Sequence, residues 1–352
     1  MGLLSPVSIS PATFFTFTLP TNFLHSSSSS SLSFFKFPNN NNNNFTSKHI
    51  SSSSISSISS SMTFSSLTVH ASSSSSSSSS STGAADQVDG SSSANVGATD
   101  LLIVGPGVLG RIVAENWRKE YPGCQITGET VTTDHHDELI KMGINPTLKG
   151  VKRDHKFPYV IYCAPPSRSS DYAGDVGEAA SMWNGEGSFL FTSSSAPYDR
   201  YDNGDCIEDS PVVPIGKSPR TDILLKAEQK VLEAGGCVVR GMHLYYLKQG
   251  TIEANPDHLV NLIHYEDAAS LCVAILKKKL RGRLFLGCDN HPVSRQEVMD
   301  LVAKSGKFDN TFVGFKGTDG VLGKKLNNSR TREEIGWEPK YKSFAHCLGV
   351  AE

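Results

Sequence analysis

The sequence predicts an α/β fold built on a parallel, doubly wound sheet, and three observations carry that expectation. After residue 99, short apolar runs of buried-strand type alternate with segments at helical spacing. The first of these runs ends in a glycine-rich turn that opens directly into a helix. The chain beyond its leader is roughly 265 residues, enough to bury a core without disulfides or metal staples.

The leader comes first. Residues 1–85 contain no Asp or Glu, only Lys36 and Lys48 as cations besides His, six consecutive Asn (Asn39–Asn44) and ten consecutive Ser (Ser72–Ser81). The apolar stretches near Phe14–Phe17 and Phe34–Phe37 are too short and too interrupted to span a bilayer, and no Lys or Arg precedes the first, as a secretory signal requires. An acid-free, hydroxyl-rich leader without Arg reads as a plastid transit peptide over residues 1–71, with Val69-His70-Ala71 resembling a stromal processing site. The expected compartment is therefore the chloroplast stroma. Residues 72–98, rich in Ser and Gly, read as a disordered lead-in, because they carry too little apolar surface to offset the entropy of ordering. The folded domain is expected over residues 99–352.

Within that domain, Asp100-Leu-Leu-Ile-Val-Gly105-Pro106-Gly107-Val108-Leu109-Gly110 is a strand running into Gly-x-Gly-x-x-Gly, with Ile112, Val113 and Trp117 continuing the helical spacing. Each glycine has a separate task in a dinucleotide site. Gly105 permits the sharp strand-to-helix turn, Gly107 lets backbone approach a pyrophosphate, and Gly110 lets helix pack on strand. The free N–H groups at the helix start and its dipole favour an anion there. This turn identifies the domain as an NAD(P)-binding Rossmann fold, with Gly105, Pro106, Gly107, Val108, Leu109 and Gly110 as cofactor-binding candidates.

A second strand, Gln125–Val131, carries near its end Glu129, a carboxylate suited to ribose hydroxyls, and no Arg is expected nearby to receive a 2′-phosphate. NAD is therefore favoured over NADP, with both retained. Asp134-His-His-Asp137 reads as a solvated helix start with acids at the positive dipole end, and no metal is expected. The run Phe157–Cys163 is a buried strand broken by Pro165 and Pro166; its end, Cys163, Ala164 and Pro165, is expected beside the cofactor crevice. A helix around Asp171–Trp183, a turn at Asn184-Gly and the strand Ser188–Phe191 follow, leading to Thr192-Ser-Ser194-Ser-Ala-Pro-Tyr198. Seven widely spaced Cys without a Cys-x-x-Cys pair fit reduced thiols. No run in 99–352 reaches the ~18 apolar residues of a spanning helix, so no membrane partner is expected.

Here the chain resembles the extended short-chain dehydrogenase/reductase group, the NAD-dependent epimerase/dehydratase-like proteins, and most of all its atypical members. The resemblance rests on Gly105–Gly110, on the strand ending Thr192–Ser195 with Tyr198 after it, on Val238-Val-Arg240 leading to Tyr245, and on Leu262-Ile-His264-Tyr-Glu-Asp267-Ala. Leu284-Phe-Leu-Gly287-Cys-Asp289 before His291–Glu297, and the tail from Lys325 to Tyr341, complete it in order over about 99–349. The resemblance implies a one-domain Rossmann architecture with a small C-terminal substrate lobe, bound NAD or NADP, and hydride transfer at a carbon bearing oxygen. It also implies a Tyr acid/base assisted by a Lys four residues later, a Ser or Thr that orients the reacting oxygen, and dimerisation through helix pairs.

The chain departs from that pattern. Counting back from Ala227-Glu228 puts Arg220 where the Tyr belongs and Leu224 where the Lys belongs, on a helix specified by Ser218 as N-cap, Pro219 and the closing Gly235-Gly236. Ser194 falls at the catalytic hydroxyl position. Tyr198, Arg220 and Tyr245 are the substrate-binding candidates, Arg220 because its guanidinium suits a carboxylate or phosphate and is too basic to act as a base. His264 and Asp267 are expected to tie backbone together. The basic clusters 149–156 and 277–283 lack interleaved aromatic stacking platforms, and 31 basic against 35 acidic residues beyond position 85 argue against nucleic-acid coating. The expected function is thus an NAD(P)-dependent oxidoreductase or epimerase acting on a small molecule. A non-catalytic dinucleotide-binding sensor or scaffold is the alternative, and plastid RNA binding the third.

Overall fold

The computed structural model describes residues 96–241, 250–308, 312–317 and 319–350. Tyr245 lies outside the described residues, as do the leader and all but the last three residues of the lead-in. Strands β1 (Leu101–Val104), β2 (Ile126–Thr130), β3 (Asn145–Leu148), β4 (Phe157–Tyr162) and β5 (Trp183–Thr192) alternate with helices α1 (Val108–Glu120), α2 (His136–Lys141) and α3 (Tyr172–Ser181). There follow β6 (Asp205–Cys206), α4 (Pro219–Glu233), β7 (Cys237–Arg240), β8 (Gly250–Glu253), β9 (Leu259–Val260), α5 (Tyr265–Lys278) and β10 (Leu284–Leu286). The C-terminal part holds β11 (Val293–Ser294), α6 (Arg295–Ser305), β12 (Phe312–Lys316), β13 (Lys325–Leu326), α7 (Ser329–Ile335) and α8 (Phe344–Leu348).

Seven strands form one parallel sheet in the order β10-β7-β5-β4-β1-β2-β3. The chain steps outward from β1 through β2 to β3, then crosses back to lay β4 on the other side of β1. Strand order therefore reverses between β1 and β4, and the ends of these strands open a crevice. The short strands pair as β11–β9, β12–β8 and β13–β6.

Period-two alternation explains why the strands read as unbroken apolar runs. Leu101 and Ile103 pack with Val113 and Trp117 of α1 and Leu271, Cys272 and Ile275 of α5. Leu102 and Val104, pointing the other way, pack with Val176 of α3 and Leu224, Ala227 and Val231 of α4. Both faces are covered, so every β1 residue is buried. A separate cluster, including Val260, Leu262, Val302, Phe344 and Leu348, forms the core of the C-terminal part.

Local signals explain where the elements begin, with some departures from expectation. Asp171 caps α3 by accepting the Gly174 N–H at 3.0 Å. Ser218 holds the N-cap position of α4 but its side chain makes no capping bond; the Asp222 carboxylate instead turns back to the Gly216 N–H. Helix α5 starts at Tyr265, where His264 Nδ1 accepts the Glu266 N–H at 3.2 Å. Strand β5 reaches back to Trp183, yet Trp183 pairs with Phe157 and regular pairing resumes only at Ser188; Asn184 Oδ1 accepts the Glu186 N–H within the interruption. Asp267 accepts the N–H groups of Lys340 (2.8 Å) and Tyr341 (3.0 Å), fastening the C-terminal segment to α5. All seven cysteines are free, and no helix of the described residues is long and apolar enough to cross a membrane.

Beneath the end of β5 lies a buried ion pair. Arg240 donates to both carboxylate oxygens of Glu228 at 2.6–3.1 Å, and Ser193 Oγ donates to the same carboxylate at 2.6 Å. Glu228→Ala leaves Arg240 buried without its counterion, and we expect a loss of about 3–5 kcal/mol in chemical denaturation. A second expectation concerns pH. Burial holds the His264 imidazole below its ordinary value, against the pull of Glu266 and with the help of Lys340. Between that depressed value and the ordinary ~6.5 the unfolded chain takes up a proton that the folded chain refuses, so stability present above ~6.5 is lost as pH falls through the folded value. The thermal midpoint of the native chain should therefore drop more between about pH 7.5 and about pH 5.5 than that of His264→Asn, which keeps a capping oxygen and does not titrate.

Candidate functional site

The glycine-rich turn joins β1 to α1 at the reversal of strand order. Gly105 sits at φ +78°, and a Cβ there would lie 2.7 Å from the Ala164 backbone, so the turn packs directly on the segment leaving β4. Gly110 faces Ile103, whose methyl group would lie 2.9 Å from an added Cβ, which brings α1 close to its strand. Gly107 differs from both. It caps α1 with extended backbone, and a Cβ there would meet nothing within 4 Å. The opening turn of α1 carries no side-chain cap and no acid. Its first N–H groups have no helical partner, and the position is open to an anion. Leu109 is buried behind the turn, whereas Pro106 uses its carbonyl to accept Arg111 Nε at 3.3 Å.

Beside the turn, the ends of β1, β2 and β4 border a shallow cleft open to solvent. Gly105, Glu129, Ala164 and Pro165 line it, together with Thr130, Val131, Lys149, Tyr162, Arg168, Ser169 and Asp175. The sequence therefore placed four of its cofactor candidates on this wall. Cys163 is set back from it: its N–H donates to Val104 O at 2.8 Å, and burial pushes its thiol up to about 12. Tyr172 fixes the loop after β4 by donating its hydroxyl to Ala164 O at 2.8 Å.

Two carboxylates on the cleft wall, Asp175 and Glu129, are held by cations. Lys149 meets Asp175 at 2.5 Å, and Ser169 Oγ donates to the same carboxylate at 2.6 Å. Arg153 Nη1 donates to Glu129 Oε2 at 2.9 Å, with side chains only 9% and 12% exposed. The expectation that no Arg stands near Glu129 is thus corrected. Arg153 is 24 positions away in sequence, and the loop between β3 and β4 carries it back to the end of β2. Its Nη2 is buried with no hydrogen-bond partner. The Asp134–Asp137 segment behaves as a helix start, with His136 Nε2 2.7 Å from Thr130 Oγ1. No group of three metal-ligating side chains converges among the described residues.

Beyond β5, Ser194 is exposed and its Oγ accepts the Ala196 N–H at 3.1 Å, which leaves its own proton available to a ligand. Tyr198 is not a pocket residue. It is 0% exposed, donates its hydroxyl to Glu208 O at 2.9 Å and lies under the Arg240 guanidinium, so burial raises its pKa above the ordinary value. Arg220 is exposed at the start of α4, whereas Leu224 on the same helix belongs to the core. Lys324 is a residue that sequence reasoning missed. It is buried, and its ammonium donates to Ser195 O (3.1 Å) and Tyr198 O (2.8 Å), directly behind the Ser194 turn. Burial lowers its pKa, and the charges of Arg220 and Arg240 act in the same direction.

Both basic clusters are largely committed to internal partners. Lys277 pairs with Glu120 at 2.5 Å, Arg283 with Glu334 at 2.6 Å, and Arg281 lies over the Trp183 ring while donating to Gly185 O. Lys149 and Arg153 are the paired members of the other cluster.

Neither a search of protein-family models nor one of curated proteins returns a match. Solved structures do match. The chain is similar to a functionally unknown conserved protein from Silicibacter pomeroyi, with 20% identity, a TM-score of 0.59, and coverage of 71% of this chain and 96% of that one. It is similar to dTDP-glucose 4,6-dehydratase from Bacillus anthracis in complex with NAD (16%, TM-score 0.58, 71% and 94% covered). It is also similar to UDP-glucuronic acid 4-epimerase from Bacillus cereus in complex with NAD (14%, TM-score 0.57, 71% and 94% covered). At these identities the likeness establishes the architecture: an α/β Rossmann-like sheet of the kind found in NAD-bound epimerases and dehydratases.

Proposed function

We propose that the protein binds a nicotinamide adenine dinucleotide, NAD or NADP. The pyrophosphate would rest on the N–H groups of Val108, Leu109 and Gly110, and the adenosine half would lie in the cleft between Glu129 and Ala164–Pro165. One observation carries this reading: Gly105 and Gly110 are closed by contacts, while Gly107, between them, opens onto free space above an uncapped helix start. Glu129 would take the ribose hydroxyls.

The second reading, an oxidoreductase or epimerase, is favoured by the exposed Ser194 hydroxyl with the Lys324 ammonium behind it. A bound nicotinamide would supply hydride transfer at a carbon bearing oxygen. Ser194 would orient that oxygen, Arg220 would hold an acidic part of the substrate, and Lys324, its proton affinity reduced, would replace the missing Tyr and Lys. The absence of that pair equally supports a non-catalytic sensor or scaffold, so activity decides between the two. Nucleotide sugars are the first class to screen, since the structural neighbours include a dTDP-glucose dehydratase and a UDP-glucuronic acid epimerase. Plastid stroma is our reading of the compartment, supported by the composition of residues 1–71. A homodimer through paired helices follows from the family resemblance alone.

Calorimetric titration of the full chain with NAD, NADH, NADP and NADPH tests the first reading. Micromolar binding is expected to at least one form. Gly107→Leu should abolish it while changing stability by less than about 1 kcal/mol, because a Cβ at this position has nothing within 4 Å and its backbone is extended. Gly105→Ala should instead cost more than about 1 kcal/mol, through its positive φ and the Ala164 backbone. Absence of binding to every form would overturn the reading. For the compartment, residues 1–98 fused to a fluorescent protein should accumulate in plastids; a secretory or cytosolic signal would reject that reading.

A further inference from the structure

We propose that Arg111 is the positioning residue of the glycine-rich turn: by holding the Pro106 carbonyl it sets the start of α1 for a pyrophosphate, and Glu138 of α2 aims it. This rests on the reading of the helix start as a pyrophosphate site. The other polar groups of the turn are satisfied by backbone. Gly105 N–H donates to Glu129 O at 3.0 Å, Gly107 N–H to Gly105 O at 2.8 Å, and Arg111 N–H to Gly107 O at 2.9 Å. Pro106 has no N–H to donate. Its carbonyl depends on a side chain, Arg111 Nε at 3.3 Å, which reaches back because helical side chains lean toward the N-terminus. The Pro106 ring is seated as well, since a Cβ on Gly128 of β2 would lie 3.1 Å from its Cγ. Pro106 is therefore held at its ring by the sheet and at its carbonyl by Arg111. Without Arg111, that buried acceptor is unmet, and the backbone shifts until the oxygen reaches water, taking Gly107 and the first N–H groups of α1 with it.

Glu138 supplies the aim. Arg111 Nη1 donates to Glu138 Oε2 at 2.9 Å, and His135 Nδ1 lies 3.4 Å from the other carboxylate oxygen. Arg111 is buried and Glu138 partly exposed, and the bond from Arg111 holds the Glu138 carboxyl below its ordinary value. The planar fork is thus fixed on α2, with its Nε left for the turn. Charge and position make opposite demands on this pair. If Arg111 acted on an anion through its charge, Glu138 would cancel part of that charge, and removing Glu138 would tighten binding. Because Arg111 acts through position, it needs Glu138, and removing Glu138 loosens binding.

The experiment is calorimetric titration of the full chain and its variants with NAD and with ADP, with adenosine followed by ligand-observed NMR and each variant checked by thermal unfolding. Arg111→Met should weaken NAD and ADP at least about tenfold, and adenosine, which has no phosphate, less than about twofold. Glu138→Ala, at a partly exposed residue, carries the test if Arg111→Met fails to fold. It should weaken NAD and ADP about three- to tenfold, and the double variant should bind no more weakly than Arg111→Met alone. Unchanged or tighter binding in Glu138→Ala, unchanged ADP affinity in Arg111→Met, or an equal loss for adenosine would overturn the assignment. A native chain that binds neither NAD nor ADP would instead overturn the coenzyme reading, and this inference with it.

Discussion

Burial of the central sheet on both faces is the constraint from which the rest of the molecule follows. A parallel strand with helices on either side has nowhere to point a polar residue except from its ends, so β1 is apolar throughout and its chemistry begins at Gly105. Because strand order reverses between β1 and β4, the loops leaving those strands diverge to opposite faces and part the surface between them. The cleft is therefore a product of topology, and its residues need only be suited to a place the sheet has already made. Gly105 against Ala164 is the point where the two diverging loops touch.

Much of this was legible in the sequence because the relevant forces are local. Turn geometry restricts which residues tolerate a given φ, so the Gly105–Gly110 spacing marked the strand-to-helix turn beside the cleft, and period-two burial marked the strands around it. Residues brought in from a distance were not legible. Arg153 reads as one cation in a basic run, and only the path of the β3–β4 loop shows that it belongs to Glu129. Lys324 lies 126 positions from the Tyr198 carbonyl it holds, and nothing in the spacing links the two. Tyr198 was misplaced for a related reason. An aromatic residue after a strand end can face a pocket or fold inward, and here the Glu208 carbonyl and the Arg240 guanidinium draw it into the core. The start of helix α5 was not legible either, because a histidine serves as its cap, a role the usual capping preferences rank low.

The same distant pairing accounts for the electrostatics. A chain with clusters of Lys and Arg suggests an exposed basic surface, yet the structure pairs four of those charges within the chain, with Glu120, Glu129, Asp175 and Glu334. The pairs at the surface contribute little stability each. The buried ones, Glu228 with Arg240 and Glu129 with Arg153, fix geometry at two strand ends where the chain must hold one conformation. Both lie next to residues that carry the candidate chemistry, Ser193 beside Ser194 in one case and the cleft wall in the other.

The fastening of the C-terminal segment to α5 bears on the order in which the chain acquires its structure. Ile335 and Trp337 belong to the same cluster as β1 and α1, Trp337 Nε1 donates to Ser270 Oγ at 2.8 Å, and the N–H groups of Lys340 and Tyr341 close on Asp267. The first strand and the end of α7 thus share one core. During synthesis the nucleotide-fold half leaves the ribosome long before the residues that complete one of its two layers. The nascent domain carries an open seam along α5 until the segment from Ile335 to Tyr341 emerges to close it.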